Sequence, residues 1–128
     1  MSDWSRWPNF SLAEMRCKHT GKDGMHPEFM DRLQALRVKY ARPMKITSAY
    51  RDPTHPVEAK KRTPGAHTKG RAVDVAVLGA DAYRLVQLAT ELGFTGIGVS
   101  QKPDGARFIH LDDVTSKDGF ARPALWSY

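Results

Sequence analysis

A single cysteine, Cys17, is present in 128 residues. That excludes an internal disulfide framework, and no second Cys or His pair stands at zinc-finger spacing to close a thiolate-rich metal site. Cys17 is expected to be a small buried residue, with a metal role alongside His19 as the minor alternative. Also missing is any long apolar run that would serve as a membrane span or as the core of a signal peptide. The chain is therefore expected to be made and folded in a cytoplasm. There are no repeats or low-complexity tracts, and the length suits one domain over 1–128 rather than two. Acidic residues are in deficit, 14 Asp and Glu against 20 Lys and Arg, for a net charge of +6. Such a balance suits a polyanionic partner: nucleic acid, an anionic membrane surface or a bacterial wall with its acidic polymers.

What is present is organised around two segments, His67-Thr-Lys-Gly-Arg-Ala-Val-Asp74 and Phe108-Ile-His110-Leu-Asp112. From Gly70 onward the first alternates as a strand does, so Gly70, Ala72 and Asp74 share one side while Arg71, Val73, Val75 and Val77 share the other. A carboxylate flanked by two tiny residues leaves room for a metal and a substrate close against the backbone. His67 would reach it from the loop entering the strand. In the second segment Ile109 and Leu111 point one way to pack, leaving Phe108, His110 and Asp112 on the other side. Two histidines and an aspartate can thus converge. Nitrogen and oxygen ligands with a fourth position open are the pattern of a catalytic zinc site, whereas paired surface histidines are the ordinary alternative.

Around these segments, Ser11-Leu-Ala-Glu14 reads as a capping box opening a short helix. Pro27 begins an amphipathic helix through Tyr40, with Phe29, Leu33, Leu36 and Tyr40 at helical spacing and Pro43 beyond its end. Met44 to Tyr50 alternates as a strand and delivers Arg51 to its end. From Asp52 to Ala66 there is no apolar periodicity but three prolines and the cluster Lys60-Lys61-Arg62, predicting a long structureless excursion that forms a wall of the cleft. His55 within it is either a substrate contact or a solvated loop histidine. Ala80 to Leu92 reads as a second core helix stopped by Gly93. Phe94 to Val99 and Arg107 to Leu111 read as a hairpin turned by Lys-Pro-Asp-Gly. The tail carries Trp126 and Tyr128 and is expected to fold back onto the body.

The pattern His-x-x-Gly-x-Ala-x-Asp followed by a Phe-Ile-His strand resembles the zinc peptidases of the M15 type, which include D-Ala-D-Ala carboxypeptidases and bacteriophage endolysins. Trp7-Pro-Asn-Phe-Ser11 with Glu14 and Cys17, the Ser48-Ala-Tyr-Arg51 segment and Leu92-Gly-Phe-Thr-Gly-Ile-Gly98 are similar to the phage-associated branch, so the likeness spans roughly residues 4 to 113. It implies zinc held by His67, Asp74 and His110. It also implies an α+β fold of the hedgehog/DD-peptidase type, a small antiparallel sheet with helices on one face and a zinc cleft on the other. Arg51 would fork onto a substrate carboxylate or steady the developing oxyanion, with a surface salt bridge as its alternative. The chain departs from the family where relatives carry a proton acceptor: Arg107 and Phe108 stand three and two residues before His110, and Gly65 stands where a serine is common. Asp104 is the preferred substitute base, and Asp112, on the His110 face, either a second candidate or the group that orients a ligand. The function so implied is hydrolysis of peptidoglycan peptides by an endolysin or other cell-wall-degrading enzyme, monomeric and acting at the bacterial wall. The hedgehog signalling domain, which resembles the His67 to Asp74 stretch, gives the rival reading of a catalytically silent zinc module that binds wall or protein. Nucleic-acid binding through Lys60-Lys61-Arg62 rests on charge alone and is not expected, because no stacking aromatics accompany the cluster.

Overall fold

A computed structural model describes residues 3–128. The first helix, α1 (Leu12–Met15), opens on the expected reciprocal cap: the Ser11 hydroxyl accepts the Glu14 N–H, and the Glu14 carboxylate accepts the Ser11 N–H. In α2 (Pro27–Tyr40) Pro27 occupies the first turn, where its missing N–H costs nothing, and Phe29, Met30, Leu33, Leu36 and Tyr40 are buried along one face. The helix stops at Ala41, in the left-handed conformation, two residues before Pro43. The second long helix, α4 (Gly79–Glu91), buries Ala82, Leu85 and Ala89. Fully burying each of Leu33, Leu36 and Leu85 contributes about 1.5–3 kcal/mol.

Five strands form one sheet: β1 (Lys45–Ser48), β2 (Ala72–Ala76), β3 (Gly96–Gln101), β4 (Arg107–Asp112) and β5 (Ala124–Ser127), in the order β1-β2-β4-β3-β5. The first four pair antiparallel, with β3 and β4 as the expected hairpin. The fifth corrects the all-antiparallel expectation, because β5 lies parallel to β3 and makes the sheet mixed. Because β4 already returns the chain to the end of the sheet where β3 begins, the stretch 113–123 needs only to pass β3 at that end to start β5. The tail was legible only as something that folds back, since four residues following a proline are too few to establish alternation.

Alternation then fixes the two faces. Val73, Val75, Ile97, Ile109 and Leu111 join Phe29, Leu33, Leu36, Leu85 and Ala89 in one core. The intervening Asp74, His110 and Asp112 necessarily face away from the helices. Among the described residues no helix is long and apolar enough to cross a membrane.

The excursion expected to be structureless is folded. It contains a one-turn helix, α3 (Pro56–Ala59), and a 3-10 turn over Ala66–Lys69. Its anchor is a carboxylate rather than an apolar residue, which is why no hydrophobic pattern marks it: the Glu58 side chain is 0% exposed. Gly70, at φ 70°, carries the chain out of the 3-10 turn into β2, and a Cβ there would collide with the Gly24 carbonyl.

Candidate metal centre

Asp74 of β2 lies directly opposite His110 of β4. His67 comes from the 3-10 turn just ahead of β2. The three offer ligand atoms that all lie within 4.8 Å of one another, and all three residues are buried. Asp74 Oδ1 is 3.4 Å from His67 Nε2 and 3.1 Å from His110 Nδ1.

The hydrogen-bond partners of the two rings decide what their facing nitrogens present. His67 Nδ1 sits 2.7 Å from the Ala49 carbonyl, which can only accept, so Nδ1 carries the proton and Nε2 turns a lone pair toward Asp74. His110 Nε2 sits 2.7 Å from Asp112 Oδ2 and donates to that carboxylate, leaving the Nδ1 lone pair toward Asp74. Two lone pairs and a carboxylate oxygen therefore converge with no hydrogen between them, an arrangement that calls for a cation. A zinc ion with bonds of about 2.0–2.1 Å spaces tetrahedral ligands about 3.3–3.4 Å apart, close to the two separations from Asp74 Oδ1. The donor set fits zinc.

Electrostatics point the same way. Burial raises the Asp74 pKa, but the facing His110 and His67, which would donate to the carboxylate when protonated, outweigh it and hold the carboxyl well below the usual range. Burial also disfavours a charged His110, yet the carboxylates on either side of its ring, Asp112 and Asp74, raise its proton affinity above the ordinary value. The pocket favours positive charge, whether as a proton or as a metal ion.

Arg51 reaches the same cleft from the segment after β1. Its Nε donates to Ser48 Oγ at 3.1 Å, Nη1 to Glu58 Oε2 at 3.0 Å, and Nη2 lies 3.8 Å from Asp74 Oδ2. Glu58 also accepts from Lys61 Nζ at 2.9 Å and from the Gly65 N–H at 2.9 Å, binding the cleft wall together. Burial raises its pKa, but these bonds to Gly65, Lys61 and Arg51 prevail and lower it to about 2. A carboxyl depressed on folding contributes stability above its unfolded pKa and loses it as pH falls through the folded value. Glu58→Gln is therefore expected to lower the midpoint of thermal unfolding at neutral pH, and the gap to the parent should close between about pH 4.5 and about pH 2; a gap independent of pH would show the loss to be steric.

Asp112 is fully buried and fully engaged. Beyond His110, it accepts a fork from Arg122, Nε to Oδ1 at 3.0 Å and Nη2 to Oδ2 at 2.8 Å. Both of its oxygens are thus engaged, so it is not presented to the cleft as an open base. Asp104 is not brought to the centre. It is exposed in the turn between β3 and β4, beyond the pair Gln101 and Arg107, three residues or about 10 Å along the strand from His110. Asp104 is not among the residues lining the cleft. Asp104→Asn is expected to leave zinc content and hydrolysis within about twofold of the parent, as for an ordinary surface change, and a larger loss in either assay would return Asp104 to the site.

His55 caps α3 by accepting the Val57 N–H and sits edge-on to His19, and it is not among the residues lining the cleft. Cys17 is buried, its sulfur accepting the Asp52 N–H, and with His19 it does not join a metal group among the described residues. Reading the sequence missed Glu58, Arg122 and the joining of Trp126 and Tyr128 to Phe108, which alternation places on the His110 face, as an aromatic wall; all but Glu58 line the cleft. Phe108 and Tyr128 stack with centroids 5.0 Å apart, and Trp126 lies 5.1 Å from the His110 ring. The signals of this wall in the sequence are the place of Phe108 on the His110 face and the two aromatics of the tail.

A family model described as Peptidase M15 matches residues 8–112, which is most of the chain. The matched stretch runs from ahead of α1 to the end of β4, includes all three converging residues and stops short of Arg122 and β5. A search of curated proteins returned no match.

Proposed function

The chain belongs to the M15 peptidase family, and from that premise we propose that it is a zinc metallopeptidase hydrolysing peptide bonds in peptidoglycan stem peptides or cross-links. On this reading it is a cell-wall-degrading enzyme of the phage endolysin kind, active at the bacterial wall, with its sheet and helices in the hedgehog/DD-peptidase arrangement. The observation that carries the reading is the meeting of His67 Nε2, His110 Nδ1 and Asp74 Oδ1 in a cleft that also holds Arg51. Substrate class is supported by the net charge of +6, which suits an anionic wall. The cleft itself adds a guanidinium on one side and aromatic rings on the other, suited to a short peptide bearing carboxylates.

When bound, zinc supplies Lewis-acid polarisation of the scissile carbonyl and makes attack by water possible near neutral pH. The chain's own residues do the rest. His67, Asp74 and His110 hold the ion. Arg51, with Nε and Nη1 anchored, directs its remaining edge at a substrate carboxylate or at the oxygen on which charge develops. Phe108, Trp126 and Tyr128 pack against the substrate and exclude water.

One observation favours the second reading, a zinc module without activity. Asp74, Asp112 and Glu58, the carboxylates at this site, are all paired in the described structure, and the reaction needs a proton acceptor. The two readings separate when purified sacculi of differing cross-link chemistry are incubated with zinc-loaded protein and the products are examined by mass spectrometry. New amino and carboxyl termini at one bond type are expected, and the termini name the bond. Stoichiometric zinc with no new termini from any sacculus would establish the silent module instead.

A further inference from the structure

Building on the zinc reading, we propose that Arg122 is a positioning residue of the metal centre: acting through Asp112, it fixes His110 in the tautomer whose Nδ1 lone pair faces Asp74. Arg122 lies beyond the stretch that matches the family.

A neutral imidazole carries its proton on either nitrogen, and the partner of one nitrogen decides what the other presents. For His110 that partner is Asp112 Oδ2, at 2.7 Å from Nε2. A lone carboxylate would be a poor clamp, since it can turn about two side-chain bonds. Asp112 is denied that freedom. Arg122 takes both of its oxygens in a fork, at 3.0 and 2.8 Å. Behind it stands Gly96, where any Cβ would collide with the Asp112 carboxylate, so the group is seated against bare backbone. Arg122 is itself fixed, with its guanidinium carbon 5.3 Å from the Phe120 ring centroid and 4.9 Å from that of Trp126. The Trp126 ring in turn contacts the His110 ring, 5.1 Å between centroids. The C-terminal segment, Arg122 ahead of β5 and Trp126 within it, thus reaches the metal ligand by two routes, a hydrogen-bonded relay and a ring contact. Without the fork, Asp112 Oδ1 is left buried with no partner, and the carboxylate is free to swing away from Nε2.

The test is zinc competition against a chromophoric chelator, paired with 15N NMR of the imidazoles in zinc-free protein at about pH 9, where histidine is neutral. Arg122→Gln is expected to weaken zinc binding by about 10–100-fold, and in the zinc-free protein His110 should change from a single Nε2–H tautomer to a mixture. Arg122→Lys, which keeps the charge but cannot fork, should fall between and guards against a folding defect in the glutamine variant. Asp112→Asn should weaken zinc binding to a similar degree. The double variant should be no weaker than Asp112→Asn alone, because Arg122 acts through that carboxylate. Zinc affinity within twofold of the parent in Arg122→Gln with an unchanged tautomer would overturn the proposal, as would losses that add in the double variant. A parent protein that takes up no zinc would end the metallopeptidase reading, while the tautomer measurement would still decide the role of Arg122.

Discussion

Alanine at His67 or at His110 is expected to leave a folded protein that no longer holds stoichiometric zinc and no longer cleaves its substrate. Each imidazole presents one lone pair to a site with three protein donors among the described residues, and its other nitrogen is already committed, to the Ala49 carbonyl or to Asp112. No neighbouring group can replace it. Protein zinc sites hold their ion by about 10–16 kcal/mol in well-studied cases, so losing one of a few ligands removes about 4 kcal/mol, about a thousandfold in affinity. Metal analysis after dialysis reads this directly. His19→Ala and His55→Ala are the controls, because both rings lie outside the converging group, and both should retain the ion. Full zinc in either site variant would mean that the ion sits elsewhere. Acid should mimic the substitutions. The ligating nitrogens must be unprotonated, and the raised proton affinity of His110 makes the proton a strong competitor, so occupancy should fall below about pH 6.

Arg51→Lys is expected to keep zinc and lose activity by about 10²–10³-fold, the usual effect of removing a donor aimed at developing charge. The guanidinium uses Nε on Ser48 and Nη1 on Glu58 to aim Nη2 into the cleft beside Asp74. An ammonium has no such fork and cannot be held in one direction while offering a donor in another. Glu58 remains satisfied in this variant, since Lys61 and the Gly65 N–H still bind it, so a loss of activity would not reflect collapse of the wall. The kinetic constants for a defined peptidoglycan fragment, measured beside zinc content, decide the matter. Activity near that of the parent would reduce Arg51 to the structural partner of Glu58.

The parts that the sequence made legible are those governed by short-range rules. The cap at Ser11, the helix from Pro27 and the hairpin turned at Lys102-Pro-Asp-Gly each follow from local chemistry, and each is found. Strand alternation also gave the face on which Asp74, His110 and Asp112 stand, because a period of two leaves no other choice once Val73 and Ile109 are buried. What could not be read is tertiary pairing between charges. Glu58 has the local character of a loop residue, and only the arrival of Arg51, Lys61 and the Gly65 N–H makes it a buried anchor. Arg122 finds Asp112 from a connecting segment that no periodicity announces. Asp104, six positions before His110 in the sequence, stands exposed in the hairpin turn and does not line the cleft, because position along a hairpin is set by strand register as well as by offset.

The most direct measurement is anomalous diffraction at the zinc edge from crystals grown with the metal. A single peak is expected about 2.0–2.2 Å from His67 Nε2, His110 Nδ1 and one oxygen of Asp74, the bond lengths of protein zinc, with His110 Nε2 still bonded to Asp112. A peak at any other residues, or one reached through His110 Nε2 with Asp112 displaced, would contradict the assignment of this centre.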